Sequence, residues 1–441
     1  MTRLIRACLL AVVGVAALSG SRAFAQDTTY RGITLVGTYD PTSKFGVVVL
    51  PVAGAFGDSI RTIVQRDLDY SDRFTILELG TGDPAILRGP GGSGVNYSLF
   101  SKMNAAAAVE IISVGTGLHV VVHDVSKSQV MNVGEFPVPS TAPGRDWRLA
   151  VHRVSDEIQR WVTGERGIAA TRIAYMRGTG DAAAIRIIDS DGANEVTVPT
   201  EPFGMSPAWN PSGTMIAYTT YAANSRLLVM DAATSRSRVL AGPVTNVSFS
   251  TPTFTADGNA IIFARSSESG TDLYSIGANG GDTPRRLTLG RGVENSEPTA
   301  SPNGRRIVYV GNSLGRPELY IMDADGTNAE VLTNYEDSER NYRSDPDWSP
   351  DGRTIAYTER LNGRFQIRTI NPNGSAPKYR TSEGVNEQPS FAPDGRHLVF
   401  TSTRSGVRQL WVLDIQTNRF RQLTQSAGSL LGAWSPRLNE P

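Results

Sequence analysis

The sequence predicts a mainly β protein: a six-bladed β-propeller preceded by a smaller α/β domain. Three observations carry this. A repeat of 43 to 48 residues fills the second half, the two ends of that half hold complementary fragments of one more repeat, and the first half mixes helical with strand periodicity. The 441 residues, 39% hydrophobic and 20% charged, are enough for two or three domains with real cores. With 43 basic residues against 43 acidic, and the basic ones scattered, there is no footprint for a phosphate backbone. No nucleic-acid partner is expected.

Residues 1–25 read as a secretory signal. Arg3 and Arg6 supply the positive start, residues 7–18 an apolar run, and Ala23-Phe24-Ala25 an A-x-A cleavage site. That run is well short of the roughly 20 residues a membrane-spanning helix needs, so export is expected and anchoring is not. The single cysteine, Cys8, leaves with the signal. A mature chain starting at Gln26 then has no disulfide, thiolate metal site or cysteine nucleophile.

Residues 26–166 are expected to form the α/β domain, with a mobile N-terminal tail. Apolar, β-branched runs at 45–50, 74–77, 109–114 and 118–122 suit strands. Ile60, Ile63, Val64 and Leu68 share one helical face after Asp58. Trp147, Ala150, Val151, Val154, Ile158 and Trp161 share another before Gly164 ends the segment. Residues 80–94 are glycine-rich and expected as an exposed loop.

The propeller is expected over 167–441. Five units open with Pro207, Pro252, Pro298, Pro346 and Pro389 and close their first turn at Gly213, Gly258, Gly304, Gly352 and Gly395. Asp257-Gly258, Asn303-Gly304, Asp351-Gly352 and Asp394-Gly395 tolerate the positive φ of tight hairpins. Second and third strands follow each turn. A weak fourth is placed at 239–240, 287–288, 332–333, 379–380 and 423–424. Trp209, Phe254, Ala300, Trp348 and Phe391 are expected to pack between blades, Ala300 needing a bulky neighbour. Residues 431–436 hold an opening strand, and 171–198 hold the rest of that unit. Joined, they make a sixth blade that ties the ring shut.

The stretch from Trp147 to Ile158, then Thr163-Gly164-Glu165-Arg166-Gly167 and Thr171-Arg172-Ile173-Ala174-Tyr175, resembles the domain junction of the TolB family. Leu68-Asp69-Tyr70-Ser71-Asp72-Arg73-Phe74 resembles that family's early helix-to-strand passage, and the likeness runs through Trp434-Ser435-Pro436. It implies a periplasmic protein-binding scaffold of the Tol-Pal cell-envelope system, without catalysis or cofactor. Implied partners are the peptidoglycan-associated lipoprotein Pal, at one mouth of the propeller, and TolA, at the N-terminal segment. They would link the protein peripherally to the outer membrane during constriction and division. The chain is expected as a monomer.

In each unit the residue before the opening proline sits at the start of the innermost strand, giving Ser206, Thr251, Glu297, Asp345 and Gln388, with Leu431 sixth. Glu297-Pro298 matches a Glu-Pro step of the family, so Ser296 and Glu297 are carried over to the Pal-facing mouth. Arg340, Tyr342 and Arg343, on a long connection, add the residue types that dominate interface energies. The bland alternative is that such groups solvate a channel rim and bind turn amides. Asp27, Thr28, Thr29, Tyr30, Arg31, Gly32 and Ile33 form the TolA-facing tail, a frayed terminus being the alternative.

Three enzyme-like signals compete with this reading. Gly89-Pro90-Gly91-Gly92-Ser93-Gly94 matches G-x-G-x-x-G but carries proline and follows no clear strand. His119 and His123 lie on a strand-like run, too far apart for one metal. The remaining alternative is a secreted polysaccharide lyase or hydrolase using Glu297, Asp345 and His397, although His397 follows a turn expected at the far end of its blade.

Overall fold

The structure is a computed structural model. It describes residues 44–438 except 55, 80–83, 90–93, 116, 140–143, 179–181, 201–202, 222–224, 290–292 and 334–341. The signal segment, Asp27 to Ile33, Arg340 and the middle of the G-x-G-x-x-G match lie outside the described residues.

Residues 45–137 build one five-stranded sheet from β1 (Phe45–Val49), β2 (Phe74–Ile76), β3 (Ala107–Val114), β4 (Gly117–Asp124) and β5 (Gln129–Pro137), in the order β2-β1-β3-β4-β5. β1 runs parallel to β2 and β3, and β3, β4 and β5 form an antiparallel meander. Helices α1 (Gly57–Tyr70) and α3 (Arg145–Thr163) cover one face, burying Ile60, Ile63, Val64, Trp147, Val151, Val154 and Ile158 against Val47, Val49, Val109 and Val120. Each such side chain contributes about 1.5–3 kcal/mol on burial. The short helix α2 (Tyr97–Lys102) packs Phe100 on the other face.

Helices α1 and α3 follow the expected faces. β5 and α2 were not anticipated, because a nine-residue edge strand with mixed polarity and a six-residue helix both lack a clean period. The loop expected at 80–94 is partly packed. Pro84–Leu87 is a 3-10 turn, and Leu87 lies against the Phe100 cluster.

After α3, six four-stranded antiparallel sheets follow among the described residues. Blade 1 joins the last strand, Ser429–Trp434, to Arg172–Arg177, Ala184–Asp189 and Val196–Thr197. Trp434 pairs with Ile173, so the two ends of the propeller close one sheet. Blades 2 to 6 open with Gly204–Trp209, Ser248–Phe254, Asn295–Ala300, Arg343–Trp348 and Asn386–Phe391. The cores lie between blades. Phe254 packs with Ala217 and Ile261, Trp348 with Val308 and Ile355, and Phe391 with Ala356 and Leu398. Around Ala300 the bulk comes from Ile262, Leu287 and the stacked Tyr309 and Tyr320 rings, 5.5 Å apart.

The fourth strands sit earlier than expected in blades 3 to 6, at Arg285–Arg286, Glu330–Val331, Lys378–Tyr379 and Phe420–Gln422. The residues read as strands do another job. Thr288, Thr333 and Thr424, with Thr381 just past the expected strand, are buried, and each hydroxyl accepts an N–H of the third strand, at Leu273, Leu319, Ile367 and Leu410. The Leu-Thr pattern thus marks where the outer strand hands over to the next blade.

At the junction, the buried Asp156 carboxylate of α3 accepts the N–H groups of Ala169 and Ala170 at 2.7 and 3.0 Å. A Cβ on Gly167 would stand 2.2 Å from Asp156 Oδ1, so the close approach requires glycine there.

Candidate functional site

Every innermost strand carries a β-bulge at the residue preceding the opening proline or its equivalent. Ser206, Thr251, Glu297, Asp345, Gln388 and Leu431 all adopt positive φ, between 45 and 60°. Left-handed backbone in non-glycine residues costs free energy, so six repetitions at one level of the ring need a compensating partner. Neighbouring blades supply one. Thr251 Oγ1 accepts the Glu297 N–H at 3.1 Å, and Glu297 Oε2 accepts the Asp345 N–H at 2.6 Å. The Gln388 N–H goes to Thr358 Oγ1 at 3.1 Å, beside Asp345, and Gln388 Oε1 accepts the Leu431 N–H at 3.1 Å. At Glu297, Asp345 and Leu431 the amide freed by the bulge is thus taken by the ring side chain of the preceding blade.

This geometry puts Glu297 and Asp345 side by side. Burial, reinforced by the Asp345 charge, pushes the Glu297 carboxyl up to about 8, and burial raises Asp345 as well. Asp347, taking the Phe391 N–H at 2.6 Å, is pushed by burial to about 7.

The other expected contact residues divide. Ser296 is half-buried beside Glu297 and pairs with Val310. Tyr342 is exposed and meets the Phe365 ring edge-on at 5.6 Å. Arg343 is corrected: only 2% exposed, its guanidinium bonds Glu318 and Glu359 between blades 4 and 5. It occupies a repeat slot two residues before the ring position. There Asn295 bonds Asp272 and Asn386 bonds Gln366 in the same way. Sequence reasoning missed that slot, although Asn295-Ser296-Glu297-Pro298, Arg343-Ser344-Asp345-Pro346 and Asn386-Glu387-Gln388-Pro389 display it.

The two faces of the propeller differ. The N-terminal domain rests on blades 1 and 6, through Asp191, His397, Arg419 and Arg421. At the opposite face, the connections carry exposed Tyr221, Val244, Leu289, Leu314, Tyr342 and Val407. The ring residues lie below them in the channel.

His397 begins the second strand of blade 6 and faces Asp72 of the N-terminal domain. The ring position, at the level of Thr401, is roughly 12 Å further along the strand. Glu297 and Asp345 therefore do not share a site with His397. Two buried groups, Asp67–His152–Asp191 and Asp72–His397–Asp414, have donor atoms close enough for a metal. Their carboxylates are already engaged by Arg66, Arg148, Arg396 and Arg419. Salt-bridge networks explain them without an ion. His119 and His123 lie on β4, as the strand reading required, the first beside Glu135 and the second against Tyr97.

A family model described as the TolB β-propeller domain matches residues 160–438. The chain belongs to the TolB family. The "Tol-Pal system protein TolB" of Gluconobacter oxydans is 30% identical over 340 residues, covering 65% of this chain and 72% of that relative. The protein of the same description from Bordetella pertussis is 29% identical over 195 residues, 42% of each chain. This chain therefore spans less than half the length of the Bordetella relatives it matches. The crystal structure of TolB from Acinetobacter baumannii superposes with a TM-score of 0.76 at 22% identity, covering 89% of this chain and 97% of that one. The shared fold includes both the propeller and the domain before it. No helix among the described residues of this family member is long and apolar enough to cross a membrane.

Proposed function

We propose that this chain is the periplasmic scaffold of a Tol-Pal envelope system. It docks a Pal-like peptidoglycan-associated lipoprotein on the channel-mouth face and offers Asp27 to Ile33 to TolA, linking outer-membrane constriction to the inner membrane. The observation that carries this reading is the exposure of Tyr221, Leu289, Leu314, Tyr342 and Val407 on the face turned away from the N-terminal domain. Exposed apolar and aromatic groups on loops of a rigid scaffold suit protein docking. Ser206, Thr251, Ser296, Glu297, Asp345 and Gln388 form the floor under that rim. Arg343 acts from inside by holding blades 4 and 5 together.

Isothermal titration of the mature chain with a Pal periplasmic domain tests it. Leu289→Ser with Tyr342→Ala is expected to weaken binding at least tenfold while leaving thermal unfolding in place. Unchanged affinity would move the docking site off this face. A chain lacking residues 26–34 is expected to lose TolA and keep Pal, and full TolA binding would refute the tail assignment.

A further inference from the structure

Two histidines cross the seam between the domains in opposite directions. His152, on α3, is fully buried: Nδ1 lies 2.7 Å from Asp67 Oδ2 of α1, and Nε2 lies 3.7 Å from Asp191 Oδ2 in blade 1. His397, in blade 6, is equally enclosed: Nδ1 lies 2.7 Å from Asp394 Oδ2, and Nε2 lies 3.4 Å from Asp72 Oδ2, just beyond α1. A neutral imidazole donates from one ring nitrogen only, whereas each of these rings has a carboxylate on both sides. At His397 both contacts are within hydrogen-bond reach and match the doubly protonated cation; at His152 only Nδ1 is bonded, and Asp191 acts on Nε2 through its charge.

The other charged groups around them are arginine–carboxylate pairs, together with Lys44 and the buried Arg421, which lies over Tyr70 and which burial pushes down to about 10. Asp189 stands behind Asp191, and Arg66 and Arg148 bond Asp191. Around His397, Arg396 bonds Asp414, Lys44 bonds Asp72, Arg419 bonds both Asp69 and Asp72, and Arg73 lies beside Arg396 and Asp394. Arginines paired with carboxylates do not give up their protons in water. The apolar part of the seam is small, Leu149 with Ala170 and Leu438 backed by Trp209. Charge therefore decides how firmly the domains hold.

We propose that His152 and His397 form a proton-dependent clamp: the N-terminal domain is fixed on the propeller while both imidazoles are doubly protonated, and alkaline pH releases it with the propeller intact. Burial disfavours the charged ring, but the neighbouring carboxylates outweigh it, pushing His397 up to about 9 and raising His152 as well. A histidine raised above its ordinary 6.5 adds stability that is complete below that value and is lost as pH rises through the folded value. The window for release is therefore centred near pH 9. Asp394 and Asp414 stay with His397, and Asp67 with His152, when the domains part, so the clamp draws on the two carboxylates across the seam, Asp72 and Asp191.

The test is energy transfer between dyes on Gln129→Cys, at the exposed start of β5, and Ala233→Cys, on an exposed turn of blade 2, in the mature chain without other thiols. Transfer is expected to change with a midpoint near pH 9 and to recover on return to pH 7, with the near-ultraviolet circular dichroism of the propeller unaltered. His152→Gln with His397→Gln is expected to show the alkaline value at pH 7, and a propeller melting transition at its usual temperature. Constant transfer from pH 7 to 10.5 would overturn the clamp, as would a change that coincides with loss of the propeller signal.

Discussion

Replacing Arg343 by methionine tests whether that residue is scaffold or contact surface. Its guanidinium is 2% exposed and bonds Glu318 and Glu359, themselves 0% and 1% exposed. Breaking a buried pair by removing one partner costs on the order of 3–5 kcal/mol, because a desolvated charge is left behind. Here Glu318 keeps Arg316 and Thr333, and Glu359 keeps Arg368 and Tyr379, so the lower part of that range applies. At roughly 2–4 °C per kcal/mol for a unit of this size, about 3 kcal/mol lowers the melting temperature by roughly 6–12 °C. The loss also has a pH signature. Burial acts to raise the Glu359 carboxyl, but Tyr379 and Arg343 overcome it and hold it below its ordinary value. A depressed folded value adds stability above the ordinary range and loses it as pH falls. The penalty for Arg343→Met is therefore greatest at pH 7, persists down to the ordinary value of 4.5, and is smaller only below it, at about pH 3, read from urea midpoints by circular dichroism. Equal penalties at pH 7 and about pH 3, or a change under 1 kcal/mol at pH 7, would refute this account. Loss of Pal affinity with unchanged stability would restore Arg343 as a contact residue.

Gly167→Ala would drive a Cβ into the Asp156 carboxylate that binds Ala169 and Ala170. We expect a loss on the order of 2–3 kcal/mol, seen in thermal unfolding, together with faster proteolysis around 164–170. Native-like protection there would show that the junction tolerates the extra atom. Deleting residues 429–441 removes the innermost strand of blade 1, including Trp434 and its bond to Thr171. It is expected to lower and broaden the melting transition of the whole propeller, and unchanged unfolding would mean that closure adds nothing.

Blade number, closure and the two long helices were legible because each rests on a local and repeated signal. Trp434 beside Ile173 follows from counting fragments, and the α1 and α3 faces follow from helical spacing. What was not legible depends on contacts across sequence distances that no period encodes. The seam pairs Asp67 with His152, Asp72 with His397, and Arg419 with Asp69. Each of these residues alone reads as an ordinary surface charge. Arg343 is the instructive case between these limits. Its slot recurs in the sequence, but a guanidinium among asparagines looks like a loop charge until Glu318 and Glu359 are seen on either side.

The ring residues show why a contact role and a scaffold role need not compete. Polar identity at Thr251, Glu297, Asp345 and Gln388 is explained by the next blade's amide, which each side chain accepts or shares. Leu431, at the blade where the chain closes on itself, has no side-chain acceptor to offer the Ser206 amide of the next blade. A carboxylate such as Glu297 cannot both satisfy the Asp345 N–H through Oε2 and turn that oxygen to a partner. That oxygen is committed to the scaffold, and burial with the Asp345 charge raises the proton affinity of the carboxyl. In the docking proposed above, Glu297 would act as a neutral group, and specificity by charge would come from the rim above it.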